Sequence, residues 1–222
     1  GGDSLYFEYG SREMDYLKSR DQRLGAAINR IGHLSRVVDS DLFSSVVYHI
    51  IGQQISTRAQ ATIWQRLLDR VGDVSAETID SLGVDDLQQL GITFKKAGYI
   101  NDFAQKVTRG EVDIDALHEL PDDAVVKALS SLKGIGVWTA EMIMIFCLQR
   151  PDVLSFGDLA IHRGMRMLYH RRSIDVKTFE TYARRYSPYR TVASLYLWAI
   201  AGGAIPEMRD DGPKKKKEAA KR

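Results

Sequence analysis

Two features in the stretch Ser131 to Arg163, SLKGIGVWTAEMIMIFCLQRPDVLSFGDLAIHR, carry groups able to do chemistry. The first is Asp158, which follows Ser155-Phe156-Gly157 and precedes an apolar run with helical spacing, Leu159 to Tyr169. A carboxylate at or near a first helical turn meets the positive end of the helix dipole, which suits a negative charge. Held there, it can stabilise a developing cation or orient and deprotonate a water. For a lone Asp after Gly, a helix cap is the plainer reading. The second feature is Leu132-Lys133-Gly134-Ile135-Gly136-Val137, a short turn between two helical patterns, Asp122 to Ser131 and Val137 to Leu148, with two glycines where a tight backbone is expected. Main-chain N–H groups that open the second helix carry partial positive charge and point outward. They suit a phosphate and are blind to base sequence, so a nucleic-acid backbone is the expected partner.

The elements that must position these groups read as helices throughout. No segment alternates convincingly with period two, so the predicted fold class is all-α. Residues 1–40 form an expected N-terminal extension packing on the core, built on one accessory helix from Ser11 to Gly32. Asp39-Ser40-Asp41 caps the next helix, Leu42 to Gln53, whose Phe43, Val46, Val47, Ile50 and Ile51 make an apolar stripe. Gly52-Gln53-Gln54 then breaks it at a surface turn, where a helix cap is the bland role for the glutamines. A helix follows from Ser56 to Val71, and Ser75-Ala76-Glu77-Thr78 signals another. In Gly91 to Ile100, Lys95 or Lys96 either touches phosphate or simply starts an exposed helix. Pro121-Asp122-Asp123 opens the helix that feeds the two-glycine turn, and Ser187 to Arg190 opens a last apolar helix carrying Tyr196 and Trp198. The core is placed at residues 41–205, with a basic, disordered tail at 206–222.

Leu132 to Ala140 resembles the hairpin of the helix-hairpin-helix (HhH-GPD) DNA glycosylases, in which a turn of the form LxGIGxxTA is followed by a Gly/Pro-rich loop and an essential Asp. Asp158 stands at that place, and the resemblance extends from about Asp41 to about Gly203. It implies a two-lobed helical fold with a DNA cleft between the lobes and hydrolysis of the bond between a flipped base and its sugar, with Asp158 as the catalytic carboxylate. It puts the backbone grip at Lys133, Gly134, Ile135, Gly136, Val137 and Thr139. Gln54, with Gln53 beside it, would enter the duplex gap left by the extruded base. In the alkylpurine (3-methyladenine glycosylase II) branch, a tryptophan after the turn and another on the late helix line the base pocket. Trp138 and Trp198 match these places, with Met142 in the wall and Met144 and Met165 in the core. The family's hairpin commonly binds Na⁺ or K⁺ through carbonyl oxygens, here those of Ser130, Leu132 and Ile135. No cofactor is otherwise expected.

Strand-nicking members carry a lysine where this chain has Trp138, so a monofunctional enzyme that leaves an abasic site is expected. The first-choice substrate is 3-methyladenine, with 7-methylguanine, hypoxanthine and etheno adducts open. A non-catalytic helix-hairpin-helix module and a glycosylase for deaminated or oxidised bases are the alternatives. The expected partner is double-stranded DNA containing a damaged base, bound by a monomer inside the cell, in bacterial cytoplasm or a nucleus.

Composition narrows the classes further. The 222 residues are 44% hydrophobic, which suits a globular chain with a real core. The longest apolar runs, Ala140 to Leu148 and Val192 to Ala201, are too short to span a bilayer. Gly1-Gly2 reads as a cloning remnant, and no signal peptide is visible. A single cysteine, Cys147, excludes an internal disulfide and a four-cysteine iron–sulfur cluster, and His49, His118 and His162 lack metal-site spacing. Net charge is +2, but residues 213–222 carry +5, so the rest stands at −3. Between Arg163 and Arg190, eight Arg/Lys face two acids, a patch that suits DNA or a solvated surface. The lysine-rich tail suits added DNA affinity or a nuclear address.

Overall fold

A computed structural model describes residues 5–214. Among them there is no strand, only an isolated antiparallel bridge between Tyr6 and Val37. Eleven α-helices and one short 3-10 helix, Asp115–Glu119, make up the described chain, as the periodicity predicts. They fall into two compact units, one holding the described residues up to Phe7 together with Arg36–Arg150, the other Glu8–Ser35 with the described residues from Pro151 onward.

In the unit that ends at Arg150, α3 (Leu42–Ile51) is the central helix, with α4 (Thr57–Val71), α6 (Phe94–Thr108) and α8 (Val137–Phe146) against it. Its predicted stripe is the core: Val46, Val47 and Ile50 are fully buried, and Phe43 stacks on Phe103 with ring centroids 4.9 Å apart. Helix α5 (Ala76–Gln89) packs on α6 and bends at Gly83, whose φ of 76° no helix accommodates. Helix α7 (Asp122–Ser130) pairs with α8. Side-chain caps stop the entries from fraying. Asp41 accepts from Ser44 N–H, Ser56 from Ala59 N–H and Thr93 from Lys96 N–H, each worth about 0.5–2 kcal/mol.

The other unit corrects the expected boundaries. The single helix expected from Ser11 to Gly32 is two, α1 (Ser11–Arg20) and α2 (Gln22–Ile31), parted at Asp21. Asp21 is extended, caps α2 through Leu24 N–H, and accepts hydrogen bonds from Tyr169 and Arg185. Leu17, Leu24 and Ile28 are fully buried, and α1 and α2 pack on α9 (Leu159–Tyr169), α10 (Val176–Tyr186) and α11 (Arg190–Ala201). Residues 8–35 thus pack within this unit. At the other end, the tail expected from residue 206 is held as far as Gly212. Glu207 pairs with Arg30, and Asp210 takes Arg163 and Arg166. Most of the expected lysine-rich tail, residues 215–222, lies outside the described residues.

Candidate active site

The two-glycine turn sits where α7 ends and α8 begins. Leu129, Leu132 and Ile135 are buried and anchor it to the core, while Lys133, Gly136 and Val137 remain exposed. Leu132 N–H bonds Leu129 O, and Ile135 N–H bonds Leu132 O, closing two tight turns. Gly134 has φ 84° and lies on the Tyr99 ring, where an added Cβ would come within 2.3 Å. Glycine is therefore required there on two counts. Gly136 is different: its backbone is extended and nothing lies within 4 Å of a built Cβ, so the expectation of two obligatory glycines holds for one. The first main-chain bond of α8 runs from Ala140 N–H to Gly136 O. The N–H groups of residues 137–139 precede that bond and face away from the helix body.

Gln53 ties this turn to the Gly52-Gln53-Gln54 turn, and Lys96 of α6 fastens the latter in place. Gln53 Nε2 donates to Gly134 O at 2.7 Å and lies 3.5 Å from Thr139 Oγ1. Lys96 Nζ donates to the carbonyls of Ile51, at 2.9 Å, and Gln53. The paired glutamines of the sequence reading therefore separate. Gln54 is exposed with φ 57°, whereas Gln53 spends its amide bracing the hairpin. Lys96, weighed as a phosphate contact, instead ties down the end of α3, and burial lowers its pKa. Thr139 is buried, so its side chain is a brace and only its main chain is placed as a grip. Trp138 is 44% exposed at the start of α8, and Met142, one turn on, is buried. Met144 and Met165 are core, as expected.

In the other unit, Asp158 is the N-cap of α9, one residue ahead of the first turn. Its Oδ1 accepts from Ile161 N–H at 2.9 Å and from Trp198 Nε1 at 3.2 Å. The carboxylate is 6% exposed, and Trp198 is half-buried. The segment leading to it is fastened to α11. Thr191 N–H bonds Pro151 O, Thr191 Oγ1 accepts from Val153 N–H, and Ser194 Oγ donates to Val153 O. Arg190 Nε donates to Asp152 at 2.7 Å. Burial pushes the Asp152 carboxyl up, but bonds from Arg190 and Ser187 outweigh it and hold the group below its ordinary value. Helices α9 and α11 meet at Gly164, whose built Cβ would come within 2.3 Å of Leu197 O. That close approach brings Trp198, the next residue, within reach of Asp158.

Five of the eight basic residues in the stretch 163–190 meet an acid or a tyrosine hydroxyl within the unit. Arg163 and Arg166 take Asp210, Arg185 takes Asp21, Arg190 takes Asp152, and Arg171 donates to Tyr182. Sequence reasoning missed the acids that receive these arginines, as well as Gly164, Thr191 and Ser194. Each makes its contact across tens to hundreds of positions, which local spacing does not reveal. No group of three or more His, Cys, Asp or Glu among the described residues could hold a metal, and no helix there is long and apolar enough to cross a membrane.

Comparison with known proteins places the fold in a family. Residues 47–188 match the model of the HhH-GPD superfamily of base excision DNA repair proteins. A DNA-3-methyladenine glycosidase from Bacillus halodurans has the same fold, with a TM-score of 0.81 at 35% identity over 93% of this chain and 96% of that one. The DNA-3-methyladenine glycosylase 1 of Schizosaccharomyces pombe is 27% identical over 70% of this chain. A structure of the Schizosaccharomyces pombe 3-methyladenine DNA glycosylase Mag1 in complex with abasic DNA superposes with a TM-score of 0.72 at 24% identity over 85% of this chain and 96% of that one. The chain spans 57% to 71% of the length of the first three curated relatives it matches.

Proposed function

The chain belongs to the HhH-GPD superfamily of base excision DNA repair proteins, and on that footing we propose that it is a DNA glycosylase of the 3-methyladenine type, hydrolysing the N-glycosidic bond of alkylated purines. The observation that carries this reading is Asp158, held at the head of α9 by two N–H donors on one oxygen. Breaking a C1′–N bond builds positive charge on the sugar, and the base must first leave the stack. A fixed carboxylate answers the charge and can orient or deprotonate the attacking water.

The turn from Lys133 to Val137 would hold the strand by its main chain, and Gln54 would enter the gap left by the flipped base. Neutral carbonyl oxygens at Ser130, Leu132 and Ile135 suit Na⁺ or K⁺ rather than a divalent ion, which favours carboxylates. Bound there, such an ion would add positive charge for a phosphate. Methylation at N3 or N7 makes a purine cationic, so the exposed face of Trp138 would favour it by about 0.5–2 kcal/mol through a cation–π contact. This supports 3-methyladenine first and 7-methylguanine second.

With Trp138 after the turn and no lysine, the enzyme would leave an intact abasic site, acting as a monomer on duplex DNA. Lys133 is exposed and stands 3.9 Å from Asp102. Borohydride should trap no covalent adduct with DNA, and a trapped adduct would reverse the assignment. The central test is release of methylated bases from alkylated DNA by the wild type and by Asp158→Asn. Asn retains an acceptor for Ile161 N–H, so the fold should persist while release is lost. Full release by that variant would remove Asp158 from the chemistry, and no release by the wild type would leave a DNA-holding module in place of an enzyme.

A further inference from the structure

Beside the hairpin lies a groove of about 380 Å³ that the proposed reaction does not use, walled by Phe94, Lys95, Tyr99, Asp102 and Lys133 among others. Phe94 is 70% exposed at the first position of α6, an apolar side chain that the core does not explain. Lys95 beside it is exposed, and Lys133 reaches the same groove from the hairpin. The groove adjoins both elements read above as DNA contacts. Its Tyr99 wall is the ring on which Gly134 rests, and Lys96, two residues after Phe94, is fastened to the Gln53 carbonyl. The acid in the wall, Asp102, is offset by Lys106 at 3.1 Å and Lys133 at 3.9 Å, so the rim presents net positive charge.

We infer that this groove is a second contact for the duplex, in which Lys95 and Lys133 meet backbone phosphates and Phe94 packs on a deoxyribose between them. The inference rests on the hairpin being the primary grip. An exposed aromatic flanked by cations is the surface a sugar–phosphate chain recognises, because the ring covers apolar sugar while the charges displace counterions. The contact is blind to the damaged base. It adds affinity without touching the chemistry.

The test measures binding of the full chain to a short duplex carrying a tetrahydrofuran abasic analogue, over a series of salt concentrations, for wild type, Phe94→Ala and Lys95→Gln. Phe94→Ala should weaken binding by about 5-fold or more. Lys95→Gln should make the salt dependence shallower by about one unit of slope. Single-turnover release at saturating enzyme should match the wild type in both. Both side chains are exposed, so matching melting temperatures should confirm intact folds. If the wild type binds and both variants bind within 2-fold of it with an unchanged slope, the groove is no DNA contact while the hairpin reading stands. If the wild type itself fails to bind, both fall together.

Discussion

Trp198 donates its indole N–H to Oδ1 of Asp158 at 3.2 Å, the same oxygen that accepts the Ile161 main-chain N–H at 2.9 Å. A tryptophan placed in the base pocket by resemblance is therefore bonded to the acid itself. Trp198→Phe keeps an aromatic face and deletes the donor. If Trp198 aims the carboxylate, single-turnover release should fall by about 10-fold, the worth of a hydrogen bond to a charged group, and equally for cationic 7-methylguanine and neutral hypoxanthine. A loss confined to cationic bases would make Trp198 a pocket wall instead, and an unchanged rate would remove it from the mechanism.

Gly164 sets that geometry, because a Cβ there would press on the Leu197 carbonyl, main chain that cannot swing aside. Gly164→Ala should cost about 1–3 kcal/mol through overpacking, read as a lower urea midpoint. Since α11 must move and Trp198 moves with it, release at a temperature where the variant is fully folded should also drop. A variant with wild-type stability and rate would mean that α9 and α11 have slack at this crossing.

The two glycines of the hairpin should answer differently to the same change. Gly134→Ala meets the Tyr99 ring and a φ of 84°, a conformation that costs an L-residue about 1–2 kcal/mol before any clash. Gly136→Ala meets neither, since its φ is −88° and the space is open. Melting temperature and affinity for the abasic-analogue duplex should both fall for the first and stay close to wild type for the second. Equal effects would refute the account of the turn.

What the sequence made legible was local. Helix entries at Asp41 and Ser75 follow from capping chemistry that operates over three or four residues, the entry at Asp122 follows from the proline before it, and the α3 stripe follows from a 3.6-residue period. The turn was legible at Gly134, whose backbone only glycine adopts readily, and Asp158 was legible as a helix cap, its catalytic role coming from the resemblance. The role of Gln53 was not, because its partner Gly134 lies 81 positions away and only folding brings the amide to that carbonyl. The partners of the basic stretch were hidden for the same reason: charge counted along the chain does not register Asp21, Asp152 and Asp210 arriving from elsewhere to meet it. Asp21 also marks the break between α1 and α2, a cap inside what reads as one continuous amphipathic run.

His49 gives the fold a sensitivity to mild acid. Its Nδ1 lies 2.8 Å from Ser45 O, which can only accept, so Nδ1 carries the proton of a neutral ring. Burial lowers its pKa below the ordinary 6.5, outweighing the Ser45 carbonyl and Asp39, which both raise it. The unfolded chain therefore takes up a proton at a pH where the folded chain does not, so the contribution is intact above 6.5 and is lost as pH falls below it. Asp210 has a separate window. Hydrogen bonds from Arg166 bring its pKa from 3.8 to about 2, so its contribution persists above 3.8 and fades only towards 2. Urea midpoints measured from neutral pH down to 4.5 should fall more steeply for the wild type than for His49→Gln, which has no ring to charge. Parallel curves would show that another group carries the titration in this range.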